Sequence, residues 1–294
     1  MSVRAGKIMS LAGVTLAQKS DKELQDEFNN ILDNGMHGLC FSPYEEGQEA
    51  GDQISEAQIR TRMEIIKPYT KWIRTFSCTD GNEIIPKIAH EYGIKTMVGA
   101  WLGDDTEINK REIAGLIKLG KQGYVDIAAV GNEVMYRGDL SEEKLLDFMN
   151  QVKQAIPDIP MGYVDAYYEF TERPKITEAC DVILANCYPF WEGCPLEYSL
   201  LYMKEMFAQA KAAANGKKVI VTETGWPNLG SSFEGSHPSF ENAMKYFINA
   251  QKWSKKDDID MFYFSSFDES WKVGDEGDVG AYWGLWDKDE KLKF

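Results

Sequence analysis

Eight short apolar runs, each closing on polar or turn residues, divide most of this 294-residue chain into a regular alternation. They are GLCFSPY (38–44), KWIRTFS (71–77), IKTMVGAW (94–101), VDIAAVGNE (125–133), IPMGYVD (159–165), DVILANCYPF (181–190), KKVIVTETGWP (217–227) and IDMFYFSSFDE (259–269). Each is too short and too apolar for an amphipathic surface helix, so most read as strands buried on both faces. Helical patterns lie between them. Ser55 opens 55–69 as an N-cap, and Gln58 three residues on completes a capping box. Ser141 opens 141–156, but Lys144 stands where the partner acid would be, so that box is incomplete. Apolar residues recur at three-and-four spacing in 108–123 and 196–216, the latter stopping at Asn215-Gly216. The stretch 239–254 carries Phe240, Ala243, Met244, Phe247 and Ala250 on one stripe.

Eight strands alternating with helices over about 250 residues predict an α/β protein built as a single (β/α)8 TIM barrel. A doubly wound open sheet would want a glycine-rich dinucleotide turn after an early strand, whereas the run at 38–44 leads into SPYEEGQ. No linker divides the chain, so 36–294 is expected to be one barrel and 1–35 an extension ahead of it. In that extension Arg4 and Lys7 precede IMSLAGVTLA (8–17), readable as the apolar stretch of a secretion leader or as an added helix or frayed end. No segment approaches the roughly 18 apolar residues of a membrane-spanning helix.

Charge narrows the partners. A net charge of −15 repels phosphate backbones and anionic membrane surfaces, which excludes nucleic acid and acidic lipid and favours a neutral substrate. The five cysteines form no CxxC pair, and the three histidines have no companion at metal-ligand spacing. No zinc site, metal or cofactor is expected, and no disulfide framework, although Cys187 and Cys194 could bridge a loop.

Residues at the C-terminal ends of barrel strands face the mouth where chemistry occurs. Those ends hold Ser42, Tyr44, Arg74, Trp101, Asn132, Glu133, Asp165, Tyr188, Glu223, Phe267 and Glu269. Glu133 and Glu223 each follow an apolar run directly. Cleaving a glycosidic bond takes one carboxylic acid to protonate the leaving oxygen and one carboxylate to act as nucleophile or to activate water. Two glutamates on separate rigid strand ends suit that task. The bland alternative is a pair of ordinary strand-end acids exposed to solvent.

VGNEV (130–134) and TETGWP (222–227), with NCYPFW (186–191) between them, resemble the signature segments of glycoside hydrolase family 17. SPYEEGQ (42–48), WIRTF (72–76) and FDESWK (267–272) resemble its fungal and bacterial branch, and the likeness runs in order from Gly38 to Trp286. The resemblance implies a retaining β-1,3-glucanase or β-1,3-glucanosyltransferase on a (β/α)8 barrel. It implies Glu133 as general acid/base, Glu223 as nucleophile, and Asn132 as the partner of the reacting sugar's 2-hydroxyl. It further implies that Tyr188 orients the nucleophile, Arg74 keeps it ionised, and Glu269 with Lys272 forms a supporting polar network. Trp226 would help wall the cleft, and Tyr44 and Phe267 would join the sugar-binding set. One departure stands out: where the family often carries a further glutamate, GDVGAYWGLW (277–286) offers only Asp278 and Gly280.

Transfer rather than hydrolysis requires an acceptor sugar to outcompete water. Tyr136, Trp191 and Glu192 are the candidate acceptor platform, the aromatic faces stacking on a pyranose and the carboxylate accepting its hydroxyls. The plainer reading of Trp191 is that it packs its own loop. The expectation is therefore a β-1,3-glucanosyltransferase with some hydrolysis, acting on β-1,3-glucan or laminari-oligosaccharides. A plain endo-β-1,3-glucanase and a non-catalytic β-glucan-binding protein are the alternatives. Such a substrate places the protein outside the cell or in the wall, although the cysteine count tolerates an intracellular one; a monomer is expected.

Overall fold

The structure, a computed structural model, describes residues 19–274 and 276–294, so the leader-like stretch 8–17 lies outside the described residues. Eight parallel strands close into a barrel in sequence order. They are β1 (Met36–Cys40), β2 (Thr70–Arg74), β3 (Lys95–Ala100), β4 (Ile127–Asn132), β5 (Met161–Ala166), β6 (Val182–Asn186), β7 (Lys218–Thr224) and β8 (Met261–Tyr263). Nearly every strand residue is buried, as strands covered by side chains within and helices without must be.

The helices begin where their caps dictate. Helix α1 (Asp21–Asp33) precedes β1 and starts at a Ser20/Glu23 capping box. Helix α2 (Glu56–Ile66) has the expected Ser55/Gln58 box. Helices α3 (Ile85–Glu91) and α4 (Thr106–Lys121) follow β2 and β3, and the Asp105 side chain caps α4. After β4 come a single turn, α5 (Val134–Arg137), and α6 (Glu142–Ala155), where Ser141 caps the Lys144 amide without a reciprocal partner. Between β5 and β6 the chain makes only α7 (Glu169–Glu172) and α8 (Pro174–Ala179), because Arg173 precedes a proline and is pushed out of helical geometry. Helix α9 (Leu196–Ala213) gives way to left-handed Asn215 and Gly216, and α10 (Phe240–Asp257) starts on the Ser239 cap.

Three expectations need correction. Phe240 does not belong to the buried stripe of α10; it is 53% exposed, while Ala243, Met244, Phe247 and Ala250 are buried. The run 259–269 is not one strand. β8 stops at Tyr263, and the chain then turns to bond Ser266 N to Cys40 O and Asp268 N to Trp286 O. Phe267 is therefore sealed under the C-terminal segment, with the Arg62 guanidinium 4.7 Å from its ring centre, and cannot touch a substrate. The five thiols are free, with Cys187 fully buried and Cys194 only partly so.

Within the segment expected as an extension, α1 docks on the last helix. Phe28 meets Phe247 of α10 at 4.7 Å and Phe294 at 5.2 Å between ring centres. Phe28→Ala should therefore lower stability by about 3–5 kcal/mol. A urea titration should show the midpoint falling at unchanged slope, whereas an unchanged midpoint would mean that α1 adds nothing to the fold.

Candidate active site

Three strand ends carry irregularities, and they fall where the acidic residues sit. The β4–β5 register shifts between Ala129 and Asn132, across Gly131 at φ 83°. Glu133 then takes a left-handed conformation, φ 51°, unusual for a residue with a side chain, and its amide bonds Val164 O at 2.8 Å. The β6–β7 register shifts at Asn186, which pairs directly with Glu223, and β7–β8 shifts between Val221 and Thr224. Bulges of this kind re-aim side chains at a barrel rim. Here they turn Glu133, Asn186 and Glu223 toward one cavity of about 590 Å³. Gly225 after TET has a steric cause, since a Cβ there would strike the Phe264 carbonyl.

Glu223 is held by three donors. Its Oε1 accepts from Arg74 Nη1 at 2.5 Å and Asn186 Nδ2 at 3.1 Å, and its Oε2 accepts from the Tyr188 hydroxyl at 2.7 Å. Arg74 is buried and gives its other nitrogen to Asn132 Oδ1 at 2.7 Å. Burial works against the guanidinium's charge, and Glu223 together with the Cys40 sulfur more than offsets this, leaving Arg74 above its ordinary pKa.

The amide of Asn186 joins the two glutamates. Its Nδ2 also donates to Glu133 Oε1 at 2.8 Å, while its Oδ1 accepts from Thr222 Oγ1 at 2.8 Å. The two carboxyl groups are thus both within bonding distance of one amide nitrogen. Among the described residues no cation pairs with Glu133 as Arg74 does with Glu223. Burial first, and the negative charge of Glu223 second, push it up to about 7. One carboxyl is thus favoured as the acid and the other lies against a cation.

Glu133, Tyr136, Tyr188, Trp191, Glu192 and Glu223 all line the cavity. Arg74 and the partly exposed Asn132 are not among the lining residues; Arg74 is bonded to both Glu223 and Asn132. Lys272 pairs with Glu269 at 3.3 Å and sits 4.2 Å over the Phe264 ring, which lines the cavity. Tyr44 is outside the cavity lining; it is buried, accepts from Asn82 Nδ2 at 3.2 Å and stands edge-on to Trp271. Trp226 is a correction. It is 1% exposed, packs on Phe190 and Tyr246, and donates its indole N–H to His237 O at 3.0 Å, so it walls no cleft.

Sequence reasoning overlooked Asn186, Trp283 and Glu276, all of which line the cavity. Asn186 opens NCYPFW at a strand end, so its position carried a signal. Trp283 lies in the wall with Tyr188 at 5.5 Å and Trp191 at 5.6 Å between ring centres. Glu276 stands two residues before the position searched for a further acid, whereas Asp278 is exposed and accepts from Ser231 N and Oγ. Among the described residues no three His, Cys, Asp or Glu side chains are grouped to hold a metal ion, and no helix is long and apolar enough to cross a membrane.

Glu133 also makes stability depend on pH. Its folded pKa of about 7 exceeds the ordinary 4.5, so the folded state binds its proton more tightly. That stability is whole below the unfolded value and lost as pH rises through 7, by on the order of 3 kcal/mol. Glu133→Gln should therefore gain thermal stability relative to the parent between pH 5 and 8. A gap that stays constant across that range would rule out a partly buried, proton-holding Glu133.

Comparison with known proteins places this arrangement. The profile described as the BtgE/BtgC glycoside hydrolase domain matches residues 38–284. The glucan 1,3-beta-glucosidase of Saccharomyces cerevisiae is 28% identical over 265 residues, covering 82% of this chain and 85% of that protein. Its namesake in Schizosaccharomyces pombe is 29% identical over 79% of this chain and 78% of the other. Among solved structures, the glycoside hydrolase family 17 β-1,3-glucanosyltransferase of Rhizomucor miehei superposes with a TM-score of 0.78 at 27% identity, covering 89% of this chain and 96% of that one. An active-site mutant of the Rhizomucor miehei β-1,3-glucanosyltransferase, in complex with laminaritriose, gives 0.79.

Proposed function

The chain belongs to the BtgE/BtgC glycoside hydrolase domain family, and from that premise we propose a retaining β-1,3-glucan-active enzyme of glycoside hydrolase family 17 that cleaves its substrate and passes the glycosyl chain to a sugar acceptor, with some hydrolysis. The observation that carries the reading is the single Asn186 amide bonded to both Glu133 and Glu223. Both oxygens bond one nitrogen, at 2.8 and 3.1 Å, so they lie closer than the roughly 6.5–9.5 Å of an inverting glycosidase, which supports a retaining mechanism.

In this reading Glu133 gives its proton to the glycosidic oxygen as the bond to the anomeric carbon breaks. Glu223 Oε attacks the same carbon and forms a glycosyl ester. Arg74, Tyr188 and Asn186 each donate to the Glu223 side chain and aim it. Esterification removes the Glu223 charge that had held the proton on Glu133, so Glu133 becomes free to take one from the next nucleophile. That nucleophile, water or an acceptor hydroxyl, attacks the anomeric carbon, its proton passes to Glu133, and the Glu223 carboxylate leaves. Asn132 is within the same network and is assigned to the 2-hydroxyl of the reacting sugar.

Transfer is favoured by the flank of the cavity formed by Tyr136, Trp191, Glu192 and Trp283, where flat rings and a carboxylate can hold a pyranose against competition from water. The second reading, a plain endo-β-1,3-glucanase, draws on Tyr136 being 63% exposed, which leaves that flank open to solvent. A location outside the cell or in the wall is part of the same proposal, since such a substrate would be met there.

A product time course with laminari-oligosaccharides separates the readings. Products longer than the donor are expected early, giving way to shorter ones; only shorter products throughout would leave hydrolysis alone. Because Glu133 must enter the reaction protonated, kcat/KM should decline above pH about 7. Glu223→Gln should lose activity by at least about a thousandfold while still binding oligosaccharide, whereas a glucan-binding protein without catalysis would release no sugar in the parent either.

A further inference from the structure

One buried carboxylate near the cavity has no part in the chemistry above. Asp165, at the end of β5, is 0% exposed. Its Oδ2 accepts from the Tyr163 hydroxyl and from Tyr136 N at 3.3 Å, and its Oδ1 accepts from Ala166 N at 2.7 Å. These donors are neutral. An acid buried without a cation is costly to keep. Asparagine could copy part of its bonding, so the retained charge calls for a reason.

The reason lies in what those donors belong to. Tyr163 OH also accepts from Met135 N at 2.8 Å. Met135 and Tyr136 are the second and third residues of the α5 turn, whose leading residue is the left-handed Glu133. Asp165 and Tyr163 therefore satisfy the two amides that fix the turn's start, and so the strained backbone from which Glu133 projects. Burial pushes Asp165 up to about 6, which leaves it ionised at neutral pH. Its charge acts on Glu133 in the same sense as that of Glu223.

We propose that Asp165 is a positioning residue for Glu133: with Tyr163 it anchors the turn that carries Glu133, and its buried negative charge favours the proton-bearing form of that side chain. The inference rests on Glu133 being the general acid/base. Other ionisable groups around Glu133 include Glu223 from β7, the Tyr188 hydroxyl, and Arg137 on its own turn, which is paired with Asp139 at 2.7 Å, while Tyr136, Tyr168, Glu192 and Glu276 line the same cavity. Around Asp165 stand Tyr163, Tyr168 and Glu169, the last paired with Arg173 at 2.5 Å. Of these, Asp165 alone combines a bond to the α5 turn with a charge that holds the proton on Glu133.

The test is the pH profile of kcat/KM on laminari-oligosaccharides for Asp165→Asn and Asp165→Ser. Asp165→Asn removes the charge and keeps part of the anchor. Its alkaline limb should move at least about half a unit to lower pH. Asp165→Ser loses both, and should show the same shift plus a further fall in kcat of roughly tenfold or more at little change in KM. A limb that stays in place in the variant or variants that fold would overturn the proposal, since a purely structural role changes the folded fraction and not the limb. Glu133→Gln serves as control. If it retains the parent's activity, the acid/base reading of Glu133 fails; if it is inactive while the limb ignores Asp165, only the positioning role fails.

Discussion

The buried pair of Arg74 and Glu223 is the contact on which the rest of the site depends. Removing one member of such a pair typically costs about 3–5 kcal/mol, because the other charge is stranded in the interior. Here the pair also fixes the geometry. Arg74 ties Glu223 from β7 to Asn132 from β4, across the barrel mouth. Asn186 shares Oε1 of Glu223 with Arg74, and Oε2 is left for the Tyr188 hydroxyl. Arg74 sits against Glu223, while burial and the charge of Glu223 raise Glu133 to about 7, so Glu133 is the member suited to carry the proton.

A closed parallel barrel supplies the rigidity this needs, and local departures from regular strand supply the aim. Register shifts at Asn132, Asn186 and Thr224, and the left-handed Glu133, all occur at strand ends where ladder bonds are about to stop. Cross-strand pairing puts Asn186 directly opposite Glu223, so the shared amide follows from register and not from a flexible loop. Aromatic residues from two later loops, Tyr188 and Trp191 in one and Trp283 in the other, then build one wall through edge-on and tilted contacts.

Much of this was legible in the sequence because strands buried on both faces leave unmistakable apolar runs, and the residue ending each run faces the mouth. That logic located Arg74, Asn132, Glu133, Tyr188 and Glu223. It failed where adjacency in sequence was taken for adjacency in space. Trp226 is three residues past Glu223, yet after Gly225 the chain turns outward and the indole packs between Phe190 and Tyr246. Phe267 looked like the end of a long strand, but the chain leaves the barrel after Tyr263 to pair with the C-terminal segment. Trp283 and Glu276 escaped notice because they lie in irregular chain after the last strand, where no periodicity marks which side chains turn inward. Asn186 carried a positional signal, but asparagine at a strand end also reads as ordinary turn chemistry.

Trapping the intermediate examines the central claim, that Glu223 is the nucleophile and Glu133 the proton carrier, most directly. A 2-deoxy-2-fluoro glucoside with a good leaving group slows the second step and should leave an ester on the nucleophile. Peptide mass spectrometry is predicted to find one glycosyl unit on the peptide containing Thr222-Glu223-Thr224, with none on that containing Asn132-Glu133. A label on Glu133, or an active enzyme that accumulates no covalent adduct, would contradict the account.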